Sequence, residues 1–287
     1  MNIGVVFPQT EIGSDPVGVR DYAQAVEGMG YTHILAYDHV LGAAADGRPP
    51  MPYTDKTMFH EPFVLFGYLA AITKTVELAT GVIILPQRQT ALVAKQAIEI
   101  DVLTGGRLRL GVGIGWNPVE YEALGENFKN RGRRIEEQVE VIRKLTSESL
   151  VEYHGRYHTI DRAGLNPLPS RRPIPIWFGG SAEAAIQRIA RIADGWMPNR
   201  KPPEGWPAVI AQVREWVREG GRDPATFGIE GRINTANVSP DTWRADAEEW
   251  RGLGANYLDV NTMGAGLQGP QAHVERLRQI KAAIGAR

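Results

Sequence analysis

The chain contains no cysteine. Disulfides, thiolate-ligated metals and a cysteine nucleophile are therefore all excluded. No apolar run approaches the roughly 18 residues that a membrane-spanning helix needs. The opening MNIGVVFPQT lacks the charged n-region of a signal peptide and reads directly as a first strand, so the expected location is cytoplasmic. Neither sign of charge is in surplus: 32 Lys and Arg stand against 33 Asp and Glu, well mixed, for a net charge of −1. Nucleic acid and anionic membrane thus find no electrostatic basis for attraction. Apolar residues are plentiful, at 43% of the chain, ample for a buried core. The 287 residues are long for one open-sheet domain and usual for one barrel of alternating strands and helices, so the expectation is a single domain over 1–287.

The pattern is organised around Arg107 to Trp116, RLRLGVGIGW. Leu108, Leu110 and Val112 alternate with Arg107, Arg109 and Gly111 as in a strand, which then dissolves into Gly113, Ile114, Gly115 and Trp116. Without Cβ atoms, the glycines would let a flat ligand lie on the peptide planes at the strand end, or simply let neighbours crowd it. The dinucleotide fingerprint does not fit: the spacing is GxGxG, and Pro118 follows where that helix should open.

Taken in order, Ile3 to Phe7 and His33 to Tyr37 read as buried strands, the second delivering Asp38 and His39. The Gly-, Ala- and Pro-rich stretch from Leu41 to His60 is about 20 residues long, too long for a turn and typical of a lid. Glu61 to Thr73 is helical, Val76 to Leu85 is a third strand, and Leu92 to Leu103 is a helix stopped by Gly105 and Gly106. The fourth strand follows, then a helix carrying Ile135, Val139, Ile142 and Leu145. VEYHGRYHTI predicts an inserted hairpin turning at His154 and Gly155. The βα cadence resumes with Ile174 to Phe178, Asp194 to Met197, Phe227 to Ile233 and Tyr257 to Val260, each followed by a helix. Eight strands and eight helices in alternation predict an α/β fold, a (β/α)8 TIM barrel with a hairpin inserted between helix 4 and strand 5, and an active site at the C-terminal strand ends.

Those ends are Phe7 and Pro8, Asp38 and His39, Val82 to Leu85, Gly113 to Trp116, Gly179 to Ser181, Asn199, Asn234, and Asn261 to Met263. Few of them ionise. A metallohydrolase would place several His and Asp ligands there and only the Asp38-His39 pair is available, so no metal is expected. A glycosidase needs two opposed carboxylates, and Asp38 has no partner unless Glu120 swings in. An apolar pocket with glycine floors and one histidine suits a planar redox cofactor that brings its own chemistry.

The order of YDH after strand 2, TGVIILP at strand 3, GVGIGW at strand 4, the helix RGRRIEEQVEVIRKL, and PIWFGGS followed by ADGW resembles the bacterial luciferase-like flavin-dependent oxidoreductases over nearly the whole chain. It looks closest to members dependent on the deazaflavin coenzyme F420. That resemblance implies hydride transfer between F420 and a small organic substrate. The alternatives are an FMN-dependent monooxygenase using reduced flavin and oxygen, and a cofactor-binding protein without turnover. It further implies that a bulged strand 3 with a non-proline cis bond at Val82-Ile83 backs the flavin ring, where an ordinary buried strand is the plainer alternative. Asp38, Val82, Ile83, Gly113, Ile114 and Gly115 would border the cofactor, and Gly179, Gly180 and Ser181 would hold its phosphate at a helix N-terminus, unless Ser181 is only a helix cap with Glu183 as its dipole partner. His39 takes the position of a catalytic histidine, exchanging the substrate proton, or is a hydrogen-bonding buttress. Trp116 stands where the F420-dependent dehydrogenases place an acid, and reads as a wall of the substrate pocket. The resemblance also implies a homodimer packed through the early helices, and Phe63, Phe66, Tyr68 and Leu69, spread around much of one such helix, fit that expectation.

Overall fold

The computed structural model describes residues 1–285. Its elements follow the βα cadence: β1 (Asn2–Val6), α1 (Pro16–Gly28), β2 (His33–Ala36), α2 (Pro62–Ile72), β3 (Glu77–Thr80), β4 (Ile83–Ile84), α3 (Thr90–Thr104), β5 (Leu108–Gly113), α4 (Pro118–Ala123) and α5 (Arg131–Ser147). The hairpin β6 (Val151–His154) and β7 (Thr159–Ala163) comes next. It is followed by β8 (Ile176–Gly179), α6 (Glu183–Ile192), β9 (Gly195–Met197), α7 (Trp206–Glu219), β10 (Gly228–Asn234), α8 (Pro240–Gly252), β11 (Tyr257–Asn261) and α9 (Gly269–Ile284). Helix starts obey local chemistry. Asp15, Glu61, Asn117 and Ser239 each cap a helix that opens with proline, their side chains accepting first-turn amides.

The strands run in the order β3-β2-β1-β11-β10-β9-β8-β5-β4, and β3 also pairs with β5, which closes the ring. Every pairing in that ring is parallel. Because β3 and β4 are two pieces of one barrel strand, the closed sheet is the expected eight-stranded TIM barrel. The antiparallel β6–β7 hairpin sits between α5 and β8, as expected, and Glu137 of α5 ties it down by accepting the amides of Arg156, Tyr157 and His158 at 2.7 to 2.9 Å.

The third strand departs from the expectation of one run over 76–85. Ala79 lies opposite Arg109 whereas Ile83 lies opposite Val112: four steps on one strand match three on its neighbour, which is a bulge. The cis bond within it is Gly81-Val82, not Val82-Ile83. The bulge comes close to β2 at Gly81, where a Cβ would run into the Leu35 side chain.

Strand alternation divides two cores. Leu108, Leu110 and Val112 join the large outer core between barrel and helices, along with Phe66, Ile98 and Phe178. Inside the barrel Val6, Leu35, Ala79, Trp177 and Met197 form a separate cluster, with Tyr37, Val82 and Met263 packed on it. Gly111 faces that interior, where a side chain would meet the Met197 sulfur.

Candidate active site

The C-terminal strand ends open into a cavity of about 340 Å³ lined by His39, Leu41, Tyr53, Asp55, Phe59 and Trp116, among others. The wall opposite the barrel is the 41–60 connection. Gln9 anchors it: the amide nitrogen donates to the Tyr37 carbonyl at 2.5 Å while the side-chain oxygen accepts the His60 amide at 2.9 Å. Within the loop, Gly42 lies where any side chain would strike the Thr54 carbonyl. The loop thereby delivers Tyr53 and Phe59 to the His39 imidazole, with ring centroids 4.9 and 4.7 Å away, and the Trp116 ring lies 5.9 Å from it. Trp116 is 41% exposed, as a pocket wall is and a buried structural tryptophan is not.

Beneath His39 lies Glu120, buried on α4. Its Oε1 accepts from His39 Nδ1 at 3.3 Å and from the amides of Val40 and Leu41 at 3.1 and 3.4 Å, while Oε2 accepts from Gln87 at 3.4 Å. Burial alone would raise this carboxyl, but the His39 hydrogen bond and charge outweigh it and hold it below its ordinary value. A carboxylate only accepts, so His39 Nδ1 carries the proton of that bond. Nε2 has no hydrogen-bond partner among the described residues and is the nitrogen left for chemistry. Glu120 is the site residue that sequence reasoning missed: weighed only as a partner for Asp38, it pairs with the adjacent histidine.

Asp38 does not border the cavity. Its carboxylate accepts the Ile84 amide at 3.1 Å and pairs with Arg88 at 2.8 Å. Burial pushes its pKa up, against the Arg88 charge. It supports the bulged strand from behind. Ile83 likewise points away, into the outer core, and Ile114 packs against the same cluster while its carbonyl accepts the Tyr121 hydroxyl at 2.7 Å. Val82 belongs to the inner cluster and fills the space that the glycines leave: a Cβ on Gly113 would come within 2.6 Å of Val82, one on Gly179 within 3.0 Å, and one on Gly115 within 2.7 Å of Ile84. The glycines therefore admit the side chains of the bulge, which form the floor in their place.

Gly180 and Ser181 lead into α6, whose N-cap is Ala182 and not Ser181. No side chain caps the helix. Ser181 instead donates its hydroxyl to Asn199 after β9, and the Gly180 carbonyl accepts the Trp196 indole at 2.8 Å. The first-turn amides of α6, uncapped by any side chain, suit an anion.

Below the mouth the barrel interior is ionic. Arg109 bonds Glu77 at 2.6 Å and Glu230 at 2.6 and 3.0 Å, with its guanidinium 4.7 and 4.1 Å from the ring centroids of Trp177 and Tyr257. His33 bonds Asp259 at 3.0 Å and approaches Glu230 at 3.3 Å. These three ligand-capable atoms lie within 4.8 Å of one another, but guanidinium groups already neutralise both carboxylates. Arg232 is the exception to this saturation, for among the described residues its one hydrogen bond is to Asp259 at 3.4 Å and its buried Nε has no partner. The mouth thus offers an apolar floor from Val82 and Met263, spare donors on Arg232, and uncapped helix amides at the rim. That set fits a flat ring with an acceptor edge and a phosphate, which is the chemistry of a flavin or deazaflavin.

Comparison with known proteins agrees. The chain is 38% identical over 224 residues to an uncharacterised protein of Mycobacterium tuberculosis, covering 75% of this chain and 77% of that one. It is 30% identical over 228 residues to an FMNH2-dependent dimethylsulfone monooxygenase of Pseudomonas putida, with 78% and 58% coverage. It is 26% identical over 255 residues to an F420-dependent hydroxymycolic acid dehydrogenase of M. tuberculosis, with 85% and 67% coverage. Among solved structures, a monooxygenase of Streptomyces bottropensis superposes with a TM-score of 0.78 at 18% identity over 97% of this chain and 98% of that one. The coenzyme F420-dependent tetrahydromethanopterin reductase of Methanopyrus kandleri does so with a TM-score of 0.77 at 15% identity over 99% of each chain, and both likenesses are of fold. The luciferase-like monooxygenase family model matches residues 1–285, and the chain belongs to that family of oxidoreductases.

Proposed function

We propose that this enzyme is a coenzyme F420-dependent oxidoreductase acting on a small organic substrate that binds between His39, Trp116 and the 41–60 loop. The observation that carries the reading is the His39–Glu120 pair. Hydride exchange at an alcohol or carbonyl carbon requires a proton to move at the neighbouring oxygen, and a buried carboxylate that holds Nδ1 protonated leaves Nε2 to take or give that proton. The deazaflavin, when bound, supplies the two-electron chemistry. The protein positions the substrate against an aromatic wall, shields it from water with the Gln9-anchored loop, and holds the cofactor phosphate at Gly179, Gly180, Ser181 and the α6 amides.

The likeness to an FMNH2-dependent monooxygenase favours a second reading, in which the same barrel holds reduced FMN. Titrating the protein separately with F420 and FMN, followed by fluorescence, tests the two. Tighter F420 binding at physiological salt supports the first reading, and equal or tighter FMN binding overturns it.

The protein is also proposed to act as a homodimer. Of the four residues first expected at that interface, Phe63, Phe66 and Leu69 are buried in the core of a single subunit and only Tyr68 is exposed; the exposed apolar residues of these helices are Val64, at 75%, and Tyr68 of α2 with Leu92 and Leu103 of the adjoining α3, and they call for cover. Sedimentation at micromolar concentration should give twice the monomer mass, and a strictly monomeric mass overturns the proposal.

A further inference from the structure

The two arginines inside the barrel are satisfied very differently. Arg109 uses Nε and both terminal nitrogens in three short bonds to Glu77 and Glu230. Arg232 has five donors and one bond, at 3.4 Å, to a carboxylate that it shares: Asp259 already engages His33 through its other oxygen at 3.0 Å. Its Nε is buried with no partner among the described residues. A buried donor left in that state is costly unless something comes to fill it.

Position says what comes. Arg232 projects inward two residues before Asn234, which ends β10 at the mouth and bonds Asn261 across the rim at 3.0 Å. Its guanidinium lies 5.4 Å from the Tyr37 ring, at the end of β2 just before Asp38 and His39. The side chain keeps 19% of its surface open. It is a fixed cation beneath the mouth whose charge is felt by Tyr53 on the cavity wall, on the same inner face of the barrel as Val82 and Met263.

We propose that Arg232 is a specificity-determining residue of this site: its guanidinium receives the acceptor edge of the ring cofactor and holds the reduced ring, in which charge is concentrated on that edge, more tightly than the oxidised one. This rests on the flavin or deazaflavin reading above. A hydride added to the central ring of such a cofactor pushes an electron pair onto its pyrimidine edge, and a charge-assisted bond to a guanidinium strengthens as that pair arrives. A substrate carboxylate has the same acceptor chemistry and is the rival source.

The test compares dissociation constants for FMN and for F420, each oxidised and each chemically reduced under anaerobic conditions, by fluorescence or ultrafiltration. Arg232→Met should weaken the reduced form about 10- to 100-fold more than the oxidised form, and Arg232→Lys should recover part of that difference. Because Arg232→Met strands Asp259, the double variant Arg232→Met with Asp259→Asn is measured beside it, and thermal melts confirm folding. Equal losses for both redox forms, or none, overturn the proposal. So does a benzoate site on the cofactor-free protein that Arg232→Met abolishes while the reduced-to-oxidised ratio stays unchanged, since the partner is then the substrate carboxylate. Failure of the unaltered protein to bind either cofactor in either state overturns the cofactor reading and this inference together, whereas binding without redox discrimination by Arg232 overturns this inference alone.

Discussion

The two ends of the barrel interior are built on opposite terms. At the N-terminal end Arg109, Glu77, Glu230, His33 and Asp259 answer one another in a closed set of short bonds, under the faces of Trp177 and Tyr257. At the C-terminal end His39 Nε2 and the Arg232 donors are left open, and the floor is apolar. The first end is arranged so that nothing remains to react, the second so that specific atoms do. Stability and chemistry are thus assigned to different ends of one sheet, as expected of a TIM barrel.

The largest effect should come from the open end and spare stability. His39→Ala removes the group proposed to exchange the substrate proton, and turnover should fall by about 10²- to 10⁴-fold, the usual range for a general acid or base, with cofactor affinity within a few-fold of the parent. Loss of affinity and turnover in parallel would place the histidine in the cofactor cradle instead. Arg109→Met tests the closed end. It removes the guanidinium that Glu77 and Glu230 share, leaving Glu230 only His33, and breaking such a buried pair costs about 3–5 kcal/mol, to be read from urea unfolding. A variant that unfolds at the parental urea concentration would contradict the division.

The closed end also sets the response to pH. Burial alone would lower the His33 pKa, but the carboxylates of Asp259 and Glu230 push it up to about 9. A histidine raised on folding stabilises fully below its unfolded value of about 6.5 and loses that contribution as pH rises through the folded value. His273, lowered to about 4 by burial and by Arg276, behaves in the opposite sense: its contribution is complete above about 6.5 and is lost as pH falls. Stability should therefore peak near pH 6.5, with limbs on the order of 2–3 kcal/mol on either side. Guanidinium unfolding between pH 5 and 9 measures this, and His33→Gln should flatten the alkaline limb alone. A monotonic profile across that range would overturn the assignment.

How much of this was legible in the chain depends on whether the signal is local. Strand alternation and the proline and glycine punctuation mark the eight βα units and the hairpin, because those patterns act over a few residues. His39, Trp116 and the α6 entry were visible as unusual residues at strand ends. Glu120 was misassigned because its partnership with His39 spans 81 positions, and the cis bond was placed one residue late, in a bulge whose close approach to Leu35 on another strand leaves no local pattern. The inward run Gly228, Glu230, Arg232, Asn234 on β10 did carry a readable signal: charged residues at every second place of a buried strand need partners inside the barrel.

The smallest expected effect sharpens the contrast between the rim and the base. Trp116 lies in the loop just past β5 and Trp177 within β8; Trp177 is 5% exposed and lies across Gly195 and Gly228, where any added side chain would collide with its ring. Trp116 is 41% exposed and touches the cavity. Trp116→Leu leaves no buried void, so unfolding free energy should stay within about 0.5 kcal/mol of the parent. What it removes is one aromatic face beside His39, worth about 0.5–1.5 kcal/mol in an aromatic contact. The expected result is a rise of a few-fold in KM for the substrate with kcat nearly unchanged, since a wall that holds substrate and transition state alike affects binding and not the barrier. A large fall in kcat at constant KM would instead give Trp116 a part in the reaction itself, and a loss of several kcal/mol in stability would return it to the closed half of the molecule.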